Sequence, residues 1–90
     1  MKALIYVTLK PSVLDPQGKA VLGGLHSLGF TETGQVRIGK YIEVTLAGVT
    51  RAQAEERVKQ MCEKLLANTV IEQYRFQVVE DHAGGEGGGE

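Results

Sequence analysis

Apolar and polar residues alternate with a period of two across residues 2–9. Ala3, Ile5, Val7 and Leu9 fall on one side, and Lys2, Leu4, Tyr6 and Thr8 on the other. That period, with β-branched residues in it, predicts a strand. The side bearing Leu4 and Tyr6 is too apolar for free solvent, which predicts a covering partner. From Pro16 to Leu28 the period changes. Val21, Leu25 and Leu28, joined by Leu22, recur at helical spacing with His26 and Ser27 toward the rim. Gly29 stands where a left-handed cap is expected, and Phe30 can fold back onto the last turn. Gly18, Gly23 and Gly24 each cost this helix about 1 kcal/mol relative to Ala. Tertiary packing must therefore hold it, and the Gly23-Gly24 pair predicts an unusually close neighbour.

A polar turn at 31–34 leads into residues 35–46, where Val36, Ile38, Ile42, Val44 and Leu46 share one parity interrupted by Lys40. Either Gly39-Lys40 is a two-residue hairpin turn, or it lies within one long strand; the pattern fits both. Thr50 followed by Gln53 has capping-box spacing. Ala54, Val58, Met61, Cys62 and Leu65 then form a helical stripe, with Leu66 beside it and an ending expected near Asn68. Tyr74, Phe76 and Val78 alternate with Gln73, Arg75 and Gln77 as a last strand. Residues 1–80 read as one α+β domain, and the Gly-rich residues 81–90 as a disordered tail.

Residues 10–20, KPSVLDPQGKA, join the first strand to the first helix. Pro11 ends the strand because it has no amide to donate. The Asp15 carboxylate can accept from first-turn amides, and Pro16 loses nothing at the first helical position. Gly18 permits close approach of another backbone, and Lys10 and Lys19 place positive charge at both ends.

Ninety residues with a formal charge of −1 allow one small core and no long-range field for nucleic acid or an anionic membrane. Chains this short often complete their burial through partners. The apolar run near the N-terminus is too short for a signal sequence or a membrane span, so a cytoplasmic location is expected. The single cysteine, Cys62, permits no intrachain disulfide and sits on an apolar stripe as a small hydrophobe. His26 and His82 suggest no metal site, and Asp15, Glu43, Glu63 and Glu72 have no pairing that implies an acid/base dyad. Residues 34–40, GQVRIGK, match a phosphate-loop spacing up to the lysine. Tyr41 then stands where Ser or Thr should hold magnesium, and a strand pattern follows instead of a helix. No catalytic and no metal-binding constellation is visible.

The order strand, helix, strand, strand, helix, strand is that of ferredoxin-like α+β domains. Four ordered blocks, VTLKPSVLDPQGKAV (7–21), LHSLGF (25–30), VRIGKYIEV (36–44) and MCEKLLANTVIEQY (61–74), closely resemble the PurS family. These are small subunits of phosphoribosylformylglycinamidine synthase, and the likeness covers nearly all of residues 3–79. The resemblance implies a PurS-like domain whose sheet pairs in a homodimer or dimer of dimers, with exchange of a segment as one form of that pairing. It implies a subunit with no active site and no cofactor of its own. A glutaminase subunit releases ammonia, and a synthetase subunit uses ATP and Mg to install it on formylglycinamide ribonucleotide. The small subunit bridges the two and assists ammonia transfer in purine biosynthesis.

On that reading, Leu4, Tyr6 and Tyr41 lie in the dimer's sheet contact. Lys10, Asp15, Gln17, Gly18 and Lys19 of the joint, and the strand face around Arg37, Lys40 and Tyr41, contact the larger subunits. The alternative from another class is a small-ligand sensor module, supported by fold analogy alone. An acylphosphatase-type enzyme would need an Arg in the loop after the first strand, where this chain has Lys10 and Pro11.

Overall fold

Three strands carry the fold, and the first of them lies in the middle. In the computed structural model, which describes residues 1–80, β1 (Lys2–Leu9) is flanked by β2 (Gly39–Thr45) and β3 (Glu72–Val79), both antiparallel to it. Tyr6 stands opposite Tyr41 on one side and Arg75 on the other; Ile5 stands opposite Ile42 and Phe76. The expected disorder of residues 81–90, with His82, lies outside the described residues.

Between β1 and β2 runs α1 (Pro16–Ser27), and between β2 and β3 runs α2 (Arg51–Met61), extended by a π-helical turn (Cys62–Leu66). Alternation sends Ala3, Ile5 and Val7 to the α2 side of the sheet. There they meet Ala54, Val58 and Cys62, with Ala67 and Val78 closing the core. Met1, Ile42, Val44, Leu46, Leu66 and Phe76 pack around it, only half-buried.

Both helix starts form as their sequences predict. Asp15 caps α1 by accepting from the Gly18 amide, with Pro16 in the first turn, and Thr50 and Gln53 make the reciprocal capping box on α2. Gly29, at a φ of 100°, ends α1 while the Phe30 amide donates back to the Leu25 carbonyl.

Three details differ from the expectations. The two α+β halves of the ferredoxin-like pattern are present, but residues 35–38 pair with no strand. Gly39-Lys40 is therefore neither a hairpin turn nor the middle of a long strand; it opens β2. The reason is local, since the Ile38 amide donates to the Asp15 carboxylate instead of to a ladder. Second, Leu65 is off the core stripe and 83 % exposed. In the π-helical turn the Ala67 amide donates to the Cys62 carbonyl five residues back, and the wider turn rotates Leu65 outward while Leu66 and Ala67 take the inward places. Third, Gly23 and Gly24 have no close neighbour among the described residues. Neither the sheet nor α2 packs along α1, of which Gly18 alone is buried. The chain is correspondingly flat and long, 49 × 33 × 16 Å.

Candidate functional site

The joint between β1 and α1 is a clasp built on one carboxylate and one guanidinium. Asp15 is 4 % exposed, and its oxygens accept from Gly18 N at 2.9 Å and from Ile38 N at 2.8 Å. These two amides, first Ile38 and then Gly18, hold the carboxyl below the usual carboxylate range, with help from the Arg37 charge and against the cost of burial. The Arg37 guanidinium donates to the carbonyls of Lys10 at 2.9 Å and Val13 at 3.0 Å. Gly18 lies against the Val36 carbonyl and the Asp15 carboxyl, so a side chain there would collide with both. A loop rich in acceptors and two segments distant in sequence are thereby locked together.

Of the residues expected to contact larger subunits, the clasp uses Asp15, Gly18 and Arg37 internally. Gln17, Lys19 and Lys40 are exposed and Lys10 half-exposed around it. Lys40 reaches over the end of the sheet to Glu72, 3.6 Å away. Lys40 and Tyr41 are adjacent on one strand and point to opposite sides of the sheet, so they do not make a single face.

The side of the sheet away from α2 has no layer over it. Leu4 and Tyr6 lie on it half-buried, and Tyr41 is 52 % exposed. The Tyr6 and Tyr41 rings sit 5.3 Å apart, and the Arg75 guanidinium lies 4.2 Å from the Tyr6 ring centre. The Tyr41 hydroxyl donates to Glu43 at 2.7 Å, which pushes the phenol up to about 12 and draws Glu43 down with help from Lys2. Three candidates, Leu4, Tyr6 and Tyr41, thus come together on one face. Arg75 joins them and was not among the sequence candidates. Its outward parity on the last strand was legible, but its position over Tyr6 needed the strand register.

Among the described residues, the remaining titratable side chains singled out from the sequence are held in structural bonds or buried. Cys62 is fully buried and its thiol is pushed up, first by burial and then by Glu63. Glu63 accepts from the Tyr74 hydroxyl at 2.6 Å, raising that phenol to about 12. The His26 ring Nε2 donates to the Thr33 carbonyl at 2.7 Å, tying the turn after α1 to the helix. Among the described residues no three His, Cys, Asp or Glu side chains gather as a metal site, and no helix is long and apolar enough to cross a membrane.

A family model described as PurS, phosphoribosylformylglycinamidine (FGAM) synthase, matches residues 2–80. The phosphoribosylformylglycinamidine synthase subunit PurS of Synechocystis sp. is 58% identical over 74 residues, covering 82% of this chain and 74% of the relative. The crystal structure of Bacillus subtilis PurS superposes with a TM-score of 0.78 at 57% identity, over 88% of this chain and 98% of that one. A chain in the structure of PurLQS from Thermotoga maritima superposes with a TM-score of 0.78 at 32% identity, over 84% of this chain and 93% of that one. With its clasp, its bare sheet face and its matched length, this chain belongs to the PurS family of phosphoribosylformylglycinamidine synthase subunits.

Proposed function

We propose that this chain is a non-catalytic bridge in a phosphoribosylformylglycinamidine synthase. It holds a glutaminase subunit and an ATP- and Mg-using synthetase subunit in fixed relation, so that ammonia from glutamine reaches formylglycinamide ribonucleotide. The observation that carries the reading is an uncovered aromatic sheet face on a chain of this family. Leu4, Tyr6, Tyr41 and Arg75 present a face of the kind that a second copy buries, and the T. maritima neighbour is itself part of a PurLQS assembly. Self-association through this face leaves the cations Lys10, Lys19 and Lys40, with Gln17, available to the larger subunits. Asp15, Gly18 and Arg37 then act by fixing the shape of the loop that presents them. Fixed relation matters because a small, freely diffusing intermediate is captured faster when its exit to water is closed. The setting is cytoplasmic purine biosynthesis.

Reconstitution tests this. The chain is mixed with its glutaminase and synthetase, and product formation is assayed with glutamine or with ammonia as nitrogen donor. Omitting the chain should abolish most glutamine-dependent synthesis and leave ammonia-dependent synthesis intact. Equal glutamine-dependent rates with and without it would overturn the proposal.

A further inference from the structure

At one end of the sheet the strands part unevenly. Pairing between β1 and β2 stops at Thr8 and Gly39, whereas β1 and β3 pair one residue further, to Leu9 and Glu72. Residues 35–38 leave the ladder because the Ile38 amide goes to Asp15. A cavity of about 270 Å³ opens in that fork. Buried Val7 and half-buried Leu9 and Ile38 supply its apolar wall, and Asp15, Lys40 and Glu72 supply its charges.

Those three charges are not equivalent. Asp15 is spent within the clasp, where two amides hold its oxygens and the Arg37 charge lies nearby. Glu72 gives one oxygen to the Asn68 amide at 2.6 Å and turns the other toward Lys40. The Lys40 Nζ stops 3.6 Å from that oxygen, well beyond the roughly 2.7–2.9 Å of a charge-assisted hydrogen bond. Its ammonium donors are therefore unspent among the described residues. An ammonium and a carboxylate face each other loosely across the mouth of a cavity with an apolar wall.

We infer that this cavity binds a free α-amino acid with an apolar side chain. The α-carboxylate accepts from Lys40, the α-ammonium donates to Glu72, and the side chain lies against Leu9 and Ile38. One loose ion pair becomes two close ones, and the site stays neutral. A simple anion would leave the half-buried Glu72 unmatched, and a simple cation would leave Lys40 unmatched. A divalent metal meets the same objection, and no three His, Cys, Asp or Glu side chains gather among the described residues. Size narrows the class further. Pockets for drug-sized molecules run to about 300–1,000 Å³, so this one suits something smaller. The site needs only the single chain, so it stands or falls apart from the bridging reading.

Titration of the full chain, followed by calorimetry and by amide chemical shifts, tests this. L-valine is the probe, and L-valinamide and N-acetyl-L-valine are half-ligands that each keep one charge. L-valine should saturate one site per chain and shift the amides of Leu9, Gly39 and Glu72. Each half-ligand should bind about tenfold more weakly, because each forgoes a hydrogen bond to a charged group. Two variants locate the site. Lys40→Met keeps the stem of an exposed side chain, and Glu72→Gln keeps an oxygen for the Asn68 amide. Each should retain the spectrum of the folded chain and lose about tenfold in L-valine affinity. Should Glu72→Gln fail to fold, Lys40→Met decides. No saturation by about 10 mM L-valine would overturn the inference. Affinity unchanged in a folded variant would overturn it equally, as would binding of L-valinamide or glycine as tight as that of L-valine.

Discussion

Asp15 does two jobs with one carboxylate: it caps α1, and it holds Ile38, 23 residues away in sequence, against the end of β1. The first job was legible, because Asp before Pro at a helix start is a local signal. The second was not, because nothing in the spacing of 15 and 38 marks them as neighbours. Both bonds need the ionised form, so the folded carboxyl titrates below its ordinary value of 3.8. A folded value below the unfolded one gives stability that is complete above pH 3.8 and lost as the pH falls through the folded value. Urea unfolding at a series of acid pH values should therefore show a steeper fall in midpoint for the natural chain than for Asp15→Asn. The variant should also start lower at neutral pH, where it lacks an acceptor oxygen. Gly18 answers to the same geometry. Gly18→Ala gains helix propensity yet drives a methyl into the Val36 carbonyl and the Asp15 carboxyl. The collision wins, with an expected loss of about 1–3 kcal/mol in urea denaturation. A stabilised variant would show that the loop moves aside.

At the level of the element, the sequence pattern was most informative where structure is local and periodic. The first and last strands, the capping box of α2 and its stripe through Cys62 are set by neighbours within a few residues. Leu65 escaped because a stripe drawn at 3.6 residues per turn places it inside, and a single π-helical turn shifts the phase. The contrast is measurable. Ile5→Ala removes a fully buried side chain and should cost about 2–5 kcal/mol. Leu65→Ala should stay within about 0.5 kcal/mol, as surface changes do. Equal losses in chemical denaturation would mean that Leu65 is covered in solution. Residues 35–38 and α1 were harder for the opposite reason. Their apolar pattern is correct for buried elements, but among the described residues, positions 36–38 are only half-buried and α1 buries Gly18 alone, and a pattern cannot say whose core it belongs to.

For the molecule as a whole, thinness is the property that the proposed bridging role would use. A body 16 Å through, with one helix over one side of its sheet and none over the other, offers surface on both sides while its core stays small. On the proposed reading such a chain contributes position to an assembly, and its contacts with larger subunits should then show as coupling between their reactions and not as chemistry of its own. Lys10, Lys19 and Lys40 test that, since changing them leaves the clasp intact, whereas replacing Arg37 would release three backbone carbonyls and confuse fold with contact. Lys40, itself exposed, gives up an ion pair with the half-buried Glu72, and pairs open to solvent on one side are worth about 1 kcal/mol. Three rim charges together then amount to about 1–2 kcal/mol, or roughly tenfold in affinity for a partner. The triple Ala variant should keep its urea midpoint and raise the concentration needed for half-maximal glutamine-dependent synthesis about tenfold. The gap should narrow as salt screens the charges in the natural chain. Ammonia-dependent synthesis should not change. A variant that supports glutamine-dependent synthesis at the natural concentration would move the subunit contact away from the rim of the clasp.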